Sequence, residues 1–247
     1  MASSMIGRPK MGLLFHSFAA GLYAFTFYHE LTMNLPNRAT YGGRWKFLTI
    51  LNLLLQLIFF IIAPLADVLT FIRGREDNWL VRARDLVFAS LAFPISVFVA
   101  TTFWGIYMID RELIFPKALD KIIPSWINHV LHTWCAVLII IEGAFIKHKY
   151  PKNRVGLGLL TFASVAYLLW ITWIAYVAEF WVYPFLRAMP NNGRVVFFTL
   201  SFCVIVFFYF LGKWKTMFIW GGDNDANSTT NNGKPKDGVK KKVKKAD

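Results

Sequence analysis

Six apolar stretches, each about twenty residues long, recur along the chain at roughly 11–28, 47–69, 86–109, 127–146, 155–178 and 195–211. Wound into an α-helix, a run of that length matches the hydrocarbon core of a bilayer. Backbone groups in hydrocarbon must find partners inside the protein, so only helices and closed barrels can cross it; continuous rather than alternating apolarity selects helices. Of the 247 residues, 56% are hydrophobic and only 17% charged, and what lies between the runs is too short for a separate globular domain. The chain is therefore predicted to be an all-α membrane protein, a six-transmembrane-helix bundle over residues 1–220.

Charge, or Pro and Asn, bounds each run. The first follows Arg8 and Lys10 and lacks a small-residue cleavage site, which predicts an uncleaved span rather than a signal peptide. Pro64 and Pro94 fall inside the second and third runs, where a missing N–H and a crowded carbonyl predict kinks. Cys135 and Cys203 both lie within runs, so they are expected to be buried free thiols, with no disulfide framework or thiolate metal cluster. From Gly221 onward the chain holds no aromatic residue and is rich in Asn, Asp, Gly and Lys, the composition of a disordered basic tail over 221–247.

Six spans put both termini on one side. Twelve Lys and Arg residues flank the spans on that side, against eight on the other, which predicts cytosolic termini. The seven lysines of the distal tail are left out, since charge far from a span orients it weakly. The net charge of +13 is then explained by orientation and tail, and no nucleic-acid partner is expected. The ending Lys244-Lys245-Ala246-Asp247 resembles the dilysine retrieval signal of endoplasmic reticulum membrane proteins, so retrieval machinery is one expected partner of the tail. Anionic lipid is the other, with the plasma membrane as the alternative location. The sequon Asn227-Ser228-Thr229 is expected to stay unused on a cytosolic tail.

Polar residues inside spans cost energy unless they are paired, so they are the candidates for chemistry. Thr49, Asn52 and Gln56 are spaced by three and four and share one face of the second span. The fourth span carries Asn128, His129 and His132. Taking Trp45 and Trp126 as interfacial markers, Thr49 lies about 6 Å and His132 about 9 Å deeper, at the helical rise of ~1.5 Å per residue. Both enter from the same face, so the two can meet in one leaflet. A neutral histidine beside a threonine can take its hydroxyl proton and make it a nucleophile toward an ester. The plainer alternatives are a threonine bonded to its own helix and a histidine bonded across to a neighbour, with Asn52 and Gln56 as interhelical glue.

Other chemistries have less in their favour. There is no Gly-x-Ser-x-Gly elbow and no Gly-rich phosphate loop. His129-x-x-His132 with Asp110 or Glu112 is the one metal arrangement to consider, but five histidines are too few for histidine-rich di-iron boxes. No metal or cofactor is expected. His16 reads as a packed histidine, His29 as a candidate for lining the site, and Glu142 as a carboxylate reaching toward Lys147 or Lys149.

Several motifs in fixed order carry a resemblance: Tyr41-Gly42-Gly43-Arg44-Trp45-Lys46-Phe47-Leu48-Thr49, Phe93-Pro94, Tyr107-Met108-Ile109-Asp110-Arg111-Glu112, Pro116-Lys117, Trp126-Ile127-Asn128-His129-Val130-Leu131-His132-Thr133, and Trp181-Val182-Tyr183-Pro184-Phe185. Together they resemble the androgen-induced protein family, which includes the androgen-dependent regulator of tissue factor pathway inhibitor, over about residues 40–211. The resemblance implies a multi-pass membrane threonine hydrolase that cleaves fatty acid esters of hydroxy fatty acids. By motif position it implies Thr49 as nucleophile and His132 as the essential histidine. Asn52, Asn128 and His129 are then candidates for binding substrate. Asn52 supplies no carboxylate to orient His132, which leaves Asp110 or Glu112 as candidates for that role. Two other classes, a small transporter and a noncatalytic membrane regulator, are the alternatives. The missing internal repeats and the scarcity of mid-membrane charge speak against transport.

Overall fold

Polar punctuation between the apolar runs sets where the helices begin and end. The computed structural model of the protein describes residues 8–33, 35, 38–75 and 77–221. The tail, with its lysines, its sequon and the Lys244-Lys245 ending, lies outside the described residues. Six helices are long and apolar enough to cross a membrane: α1 (Met11–Thr32), α2 (Leu48–Arg73), α3 (Trp79–Ile109), α4 (Ser125–Phe145), α5 (Asn153–Val177) and α6 (Asn191–Trp220). They alternate in direction, so the ends of α1, α3 and α5 and the starts of α2, α4 and α6 share one face, called here the site end.

Several helices run past their apolar runs. α3 starts at Trp79 because the Asn78 side chain caps it, accepting from the Val81 N–H at 3.0 Å. α6 continues to Trp220, with Lys213 reaching Asn153 Oδ1 at 2.7 Å and Lys215 reaching the Ile140 carbonyl at 2.6 Å. α2 passes through Pro64 as one helix. Pro94 acts one turn upstream: Phe88–Ala92 is a π segment, and the Phe93 N–H bonds the Phe88 carbonyl. A second π segment, Val130–Trp134, lies in α4 with no proline to announce it.

α3 and α4 form the centre, 67% and 61% buried over their most apolar windows, against 17% for α5 and α6. α1 packs on α2, α2 on α3, and α3 touches α4, α5 and α6. The outward faces of α5 and α6 present Phe162, Leu169 and Phe207, which suits a hydrocarbon surround. Cys135 is buried as expected; Cys203 is exposed on that outer face, a correction that follows from α6 being a peripheral helix.

At the end opposite the site, six side chains close a ring of ion pairs. His16 of α1 contacts Asp67 of α2 through Nδ1 at 2.6 Å and Glu142 of α4 through Nε2 at 2.8 Å. The second Glu142 oxygen meets His148 Nε2 at 3.0 Å, and His148 Nδ1 meets Asp85 at 2.9 Å. Arg84 binds Asp85 at 2.9 Å and closes the circuit at 3.8 Å from Asp67. Glu142 therefore does not reach for Lys147 or Lys149: it is fully buried between two imidazoles. Three basic side chains, His16, His148 and Arg84, thus alternate around the ring with three acidic ones, Asp67, Glu142 and Asp85. The ring ties α1, α2, α3 and α4 together with the segment after α4, and the Phe88 ring stacks on His148 at 3.8 Å.

Removing one member leaves buried charge without its partner, which typically costs about 3–5 kcal/mol. Glu142→Ala should therefore lower the thermal midpoint of purified protein in detergent markedly, whereas Asp77→Ala, which breaks an exposed pair with Arg82, should leave it unchanged. Coincident melts for Glu142→Ala and the parent would deny the ring its part in holding the bundle.

Candidate active site

The start of α2 is built by an unusual turn. Gly42 takes φ 80°, a left-handed conformation that favours glycine, where the turn passes close to the Ile174 side chain of α5. A single turn, Gly43–Lys46, follows, and the extended Phe47 leads directly into Leu48 and Thr49. In α4 the π segment carries His132. A π turn inserts one residue and re-aims the side chains around it, a feature frequent at functional sites.

These two elements bring Thr49 Oγ1 within 3.2 Å of His132 Nε2. Nδ1 of the same ring faces the Asn128 carbonyl at 3.0 Å and Asn128 Oδ1 at 2.9 Å. A carbonyl oxygen only accepts, so Nδ1 holds the proton and Nε2 presents its lone pair to the Thr49 hydroxyl. The imidazole is fixed from two further directions. Phe103 of α3 stacks on it at 3.5 Å, and the Trp104 indole N–H donates to the His132 carbonyl at 3.1 Å. His132 is only 6% exposed.

Thr49, Asn128 and His132 open onto a cavity of about 1090 Å³, walled mainly by apolar side chains such as Ile95, Val99, Phe103, Ile171 and Phe185. α5 and α6 contribute its far wall through Leu168 and Phe202. The volume is at the upper end for small-molecule sites and suits a long apolar ligand.

The remaining candidates separate from this group. Asn52 is not on the cavity wall: it is buried and accepts from Ser96 Oγ at 2.9 Å, while Gln56 donates to the same hydroxyl at 2.6 Å. The pair binds α2 to α3 as interhelical glue. His129 points outward, bonded to Thr133 at 3.1 Å and stacked on Trp104. His29 packs edge-on against Phe25 and Trp126, away from the cavity. Asp110 caps the Glu112 N–H and Glu112 accepts from the Lys117 N–H, so neither acid orients His132; Asn128 does, from the preceding turn of the same helix.

Lys46, Tyr167 and Tyr183 are polar cavity residues to which the sequence assigned no role. Lys46 is buried, its ammonium bonded to Thr40 and lying over the rings of Phe47 and Phe180 at 5.3 and 5.4 Å. Burial pulls its pKa below the ordinary lysine range. Tyr167 and Tyr183 place both hydroxyls at the first N–H of α2. Tyr183 lies in the Trp181-Val182-Tyr183-Pro184-Phe185 motif that carries the family resemblance; Tyr167 has no sequence signal.

Comparison with known proteins agrees in extent with the six-helix region. The family model for FAR-17a/AIG1-like protein matches residues 11–216. The human androgen-induced gene 1 protein is 41% identical over 76% of this chain and 82% of its own length. The human androgen-dependent TFPI-regulating protein is also 41% identical, over 75% of this chain and 81% of its own. A UPF0641 membrane protein of Schizosaccharomyces pombe is 23% identical over 81% of this chain. No solved structure matches. With a family model spanning nearly all the described residues and relatives this similar over most of both lengths, the chain belongs to the FAR-17a/AIG1-like family of membrane proteins.

Proposed function

We propose that this protein is a threonine-type carboxylic ester hydrolase acting within the membrane on lipid esters, specifically fatty acid esters of hydroxy fatty acids. The observation that carries this reading is the 3.2 Å contact between Thr49 and a His132 held in the Nε2-acceptor form, opening onto a large apolar cavity. Thr49 Oγ1 attacks the ester carbonyl while His132 Nε2 takes its proton. The tetrahedral intermediate collapses, Nε2–H protonates the departing alkoxide, and the hydroxy-acid portion leaves with an acyl-threonine remaining. Water, deprotonated by the same nitrogen, attacks the acyl group; the fatty acid departs and the proton returns to Thr49. Asn128 does the orienting that a carboxylate does in other triads: it keeps the tautomer without adding charge beside the imidazole.

The position of the pair near the site end suits this chemistry, with acyl chains entering from hydrocarbon and water from the nearby aqueous face. Phe59, Phe60 and Phe88, none more than 1% exposed, pack on His16 and His148 of the charged ring and do not line the cavity. The proposed arrangement has residues 1–220 as the hydrolase domain and 221–247 as a basic tail. Both termini are proposed to be cytosolic, and the location the endoplasmic reticulum membrane.

Purified full-length protein incubated with a panel of lipid esters should release free fatty acid by mass spectrometry. Thr49→Ala and His132→Ala should each lower turnover by about 10³-fold or more, the scale of losing a nucleophile or its base. Turnover by Thr49→Ala within a few-fold of the parent would remove the nucleophile assignment. A second prediction concerns orientation. Asn128→Ala keeps the backbone acceptor for His132 Nδ1 but loses Oδ1, so turnover should fall only about tenfold, equivalent to ~1.4 kcal/mol. Nitrogen NMR of histidine-labelled protein should show His132 protonated at Nδ1 and bare at Nε2; the opposite tautomer would contradict the proton path.

A further inference from the structure

A helix exposes four N–H groups at its start, and α2 disposes of them unequally. Those of Ile50 and Leu51 bond the Phe47 carbonyl at 3.0 and 3.2 Å. Phe47, in the capping position, has no side chain able to accept. The Leu48 N–H is taken by two phenols from distant parts of the chain: Tyr167 of α5 at 3.1 Å and Tyr183, just before the turn Pro184–Ala188, at 2.9 Å. Thr49 comes next, and its N–H has no acceptor among the described residues.

The phenol protons are also accounted for. Tyr167 lies 3.1 Å from the Lys46 carbonyl, an acceptor only, so its proton goes there. Tyr183 lies 3.1 Å from Tyr167 and donates to it. Each oxygen is then free to accept from Leu48. This pair replaces the missing helix cap and grips the backbone on both sides of Phe47, at the Lys46 carbonyl and the Leu48 N–H. Both rings line the cavity.

We infer that Tyr167 and Tyr183 are positioning residues for the nucleophile: they hold the first turn of α2 so that the Thr49 hydroxyl stays on His132 and the Thr49 N–H stays aimed where the ester oxygen becomes negative. The inference rests on the hydrolase reading. Its chemistry is that of a preorganised donor at a helix start, next to the attacking oxygen. A misplacement on the order of 1 Å is enough to cost about 100-fold in rate. The two phenols are not equivalent. Tyr167 holds both the N–H and the carbonyl, whereas Tyr183 holds the N–H and supports Tyr167, so losing the Tyr167 hydroxyl should do more harm.

The test uses full-length protein in lipid nanodiscs with Tyr167→Phe, Tyr183→Phe and both together, each keeping its ring. Three readouts are compared: the rate of fluorophosphonate labelling, kcat and KM on a lipid ester, and amide exchange over residues 47–51. The double variant should lose about 10- to 100-fold in kcat and labelling rate with KM within about twofold, and exchange over 47–51 should quicken while that elsewhere stays unchanged. Tyr167→Phe should exceed Tyr183→Phe in every readout. Unchanged kcat, an equal rise in KM, or quickened exchange across all helices would overturn the inference, the last by showing a general loss of folding. Thr49→Ala serves as the control. Label persisting on that variant overturns the nucleophile reading and this inference with it, whereas label lost there but undiminished in the double tyrosine variant overturns the tyrosine role alone.

Discussion

Hydrocarbon offers no hydrogen bonds, so each polar group that this bundle carries into the membrane must be answered by another from the protein. Several buried polar residues meet that constraint by pairing across helices, although Asn52 Nδ2, Gln56 Oε1 and Ser90 Oγ find no partner among the described residues, and the pairings help set which helices meet. Asn52 and Gln56 meet Ser96 in the middle of the bundle, His16, Asp67, Arg84, Asp85, Glu142 and His148 close a ring at one end, and Thr49 meets His132 at the other. Each set includes α2, and two of them join it to α4. The helices that carry the proposed nucleophile and base are thereby tied at both ends.

The two ends are tied differently. In the ring every carboxylate faces two basic side chains, which makes a closed clamp. Around Thr49 and His132 the partners are neutral: an amide, a phenylalanine ring, an indole and two phenols. Charge placed there would hold the imidazole in one protonation state, and a base must change state during turnover. The cavity beside it is broad. Its wall is mainly apolar, with Glu30, Arg38, Lys46 and Arg187 among the lining residues, which suits a ligand held largely by shape and apolar contact.

Much of this was legible in the sequence because length and apolarity alone specify a spanning helix. The six helices and their order followed from run length; face periodicity and the tryptophan depth markers allowed Thr49 to meet His132, and the family resemblance singled that pair out. What escaped were features that depend on which faces meet. His16 and Glu142 look unremarkable singly, and only the packing of α1 against α2 and α4 shows that they share a ring. The π segment at Val130–Trp134 has no proline or glycine to betray it, yet it carries His132. Asp110 and Glu112 were the acids to consider for orienting that histidine, but they are spent on their own loop, and Asn128, first considered for substrate, supplies the orienting oxygen. His129 shares a motif with His132 but not a face, because three residues along an α-helix fall about 60° short of a full turn and the π turn widens the difference.

In the proposed mechanism a threonine hydroxyl in the membrane carries the acyl group from the departing alkoxide to water. Rapid acid quench of the protein during turnover of a lipid ester, followed by peptide mass spectrometry, captures that intermediate. An acyl mass is expected on the peptide holding Thr49, assigned to that side chain. An acyl group found on a different residue, or continued fatty acid release with no acylated peptide at any time of quench, would contradict that mechanism.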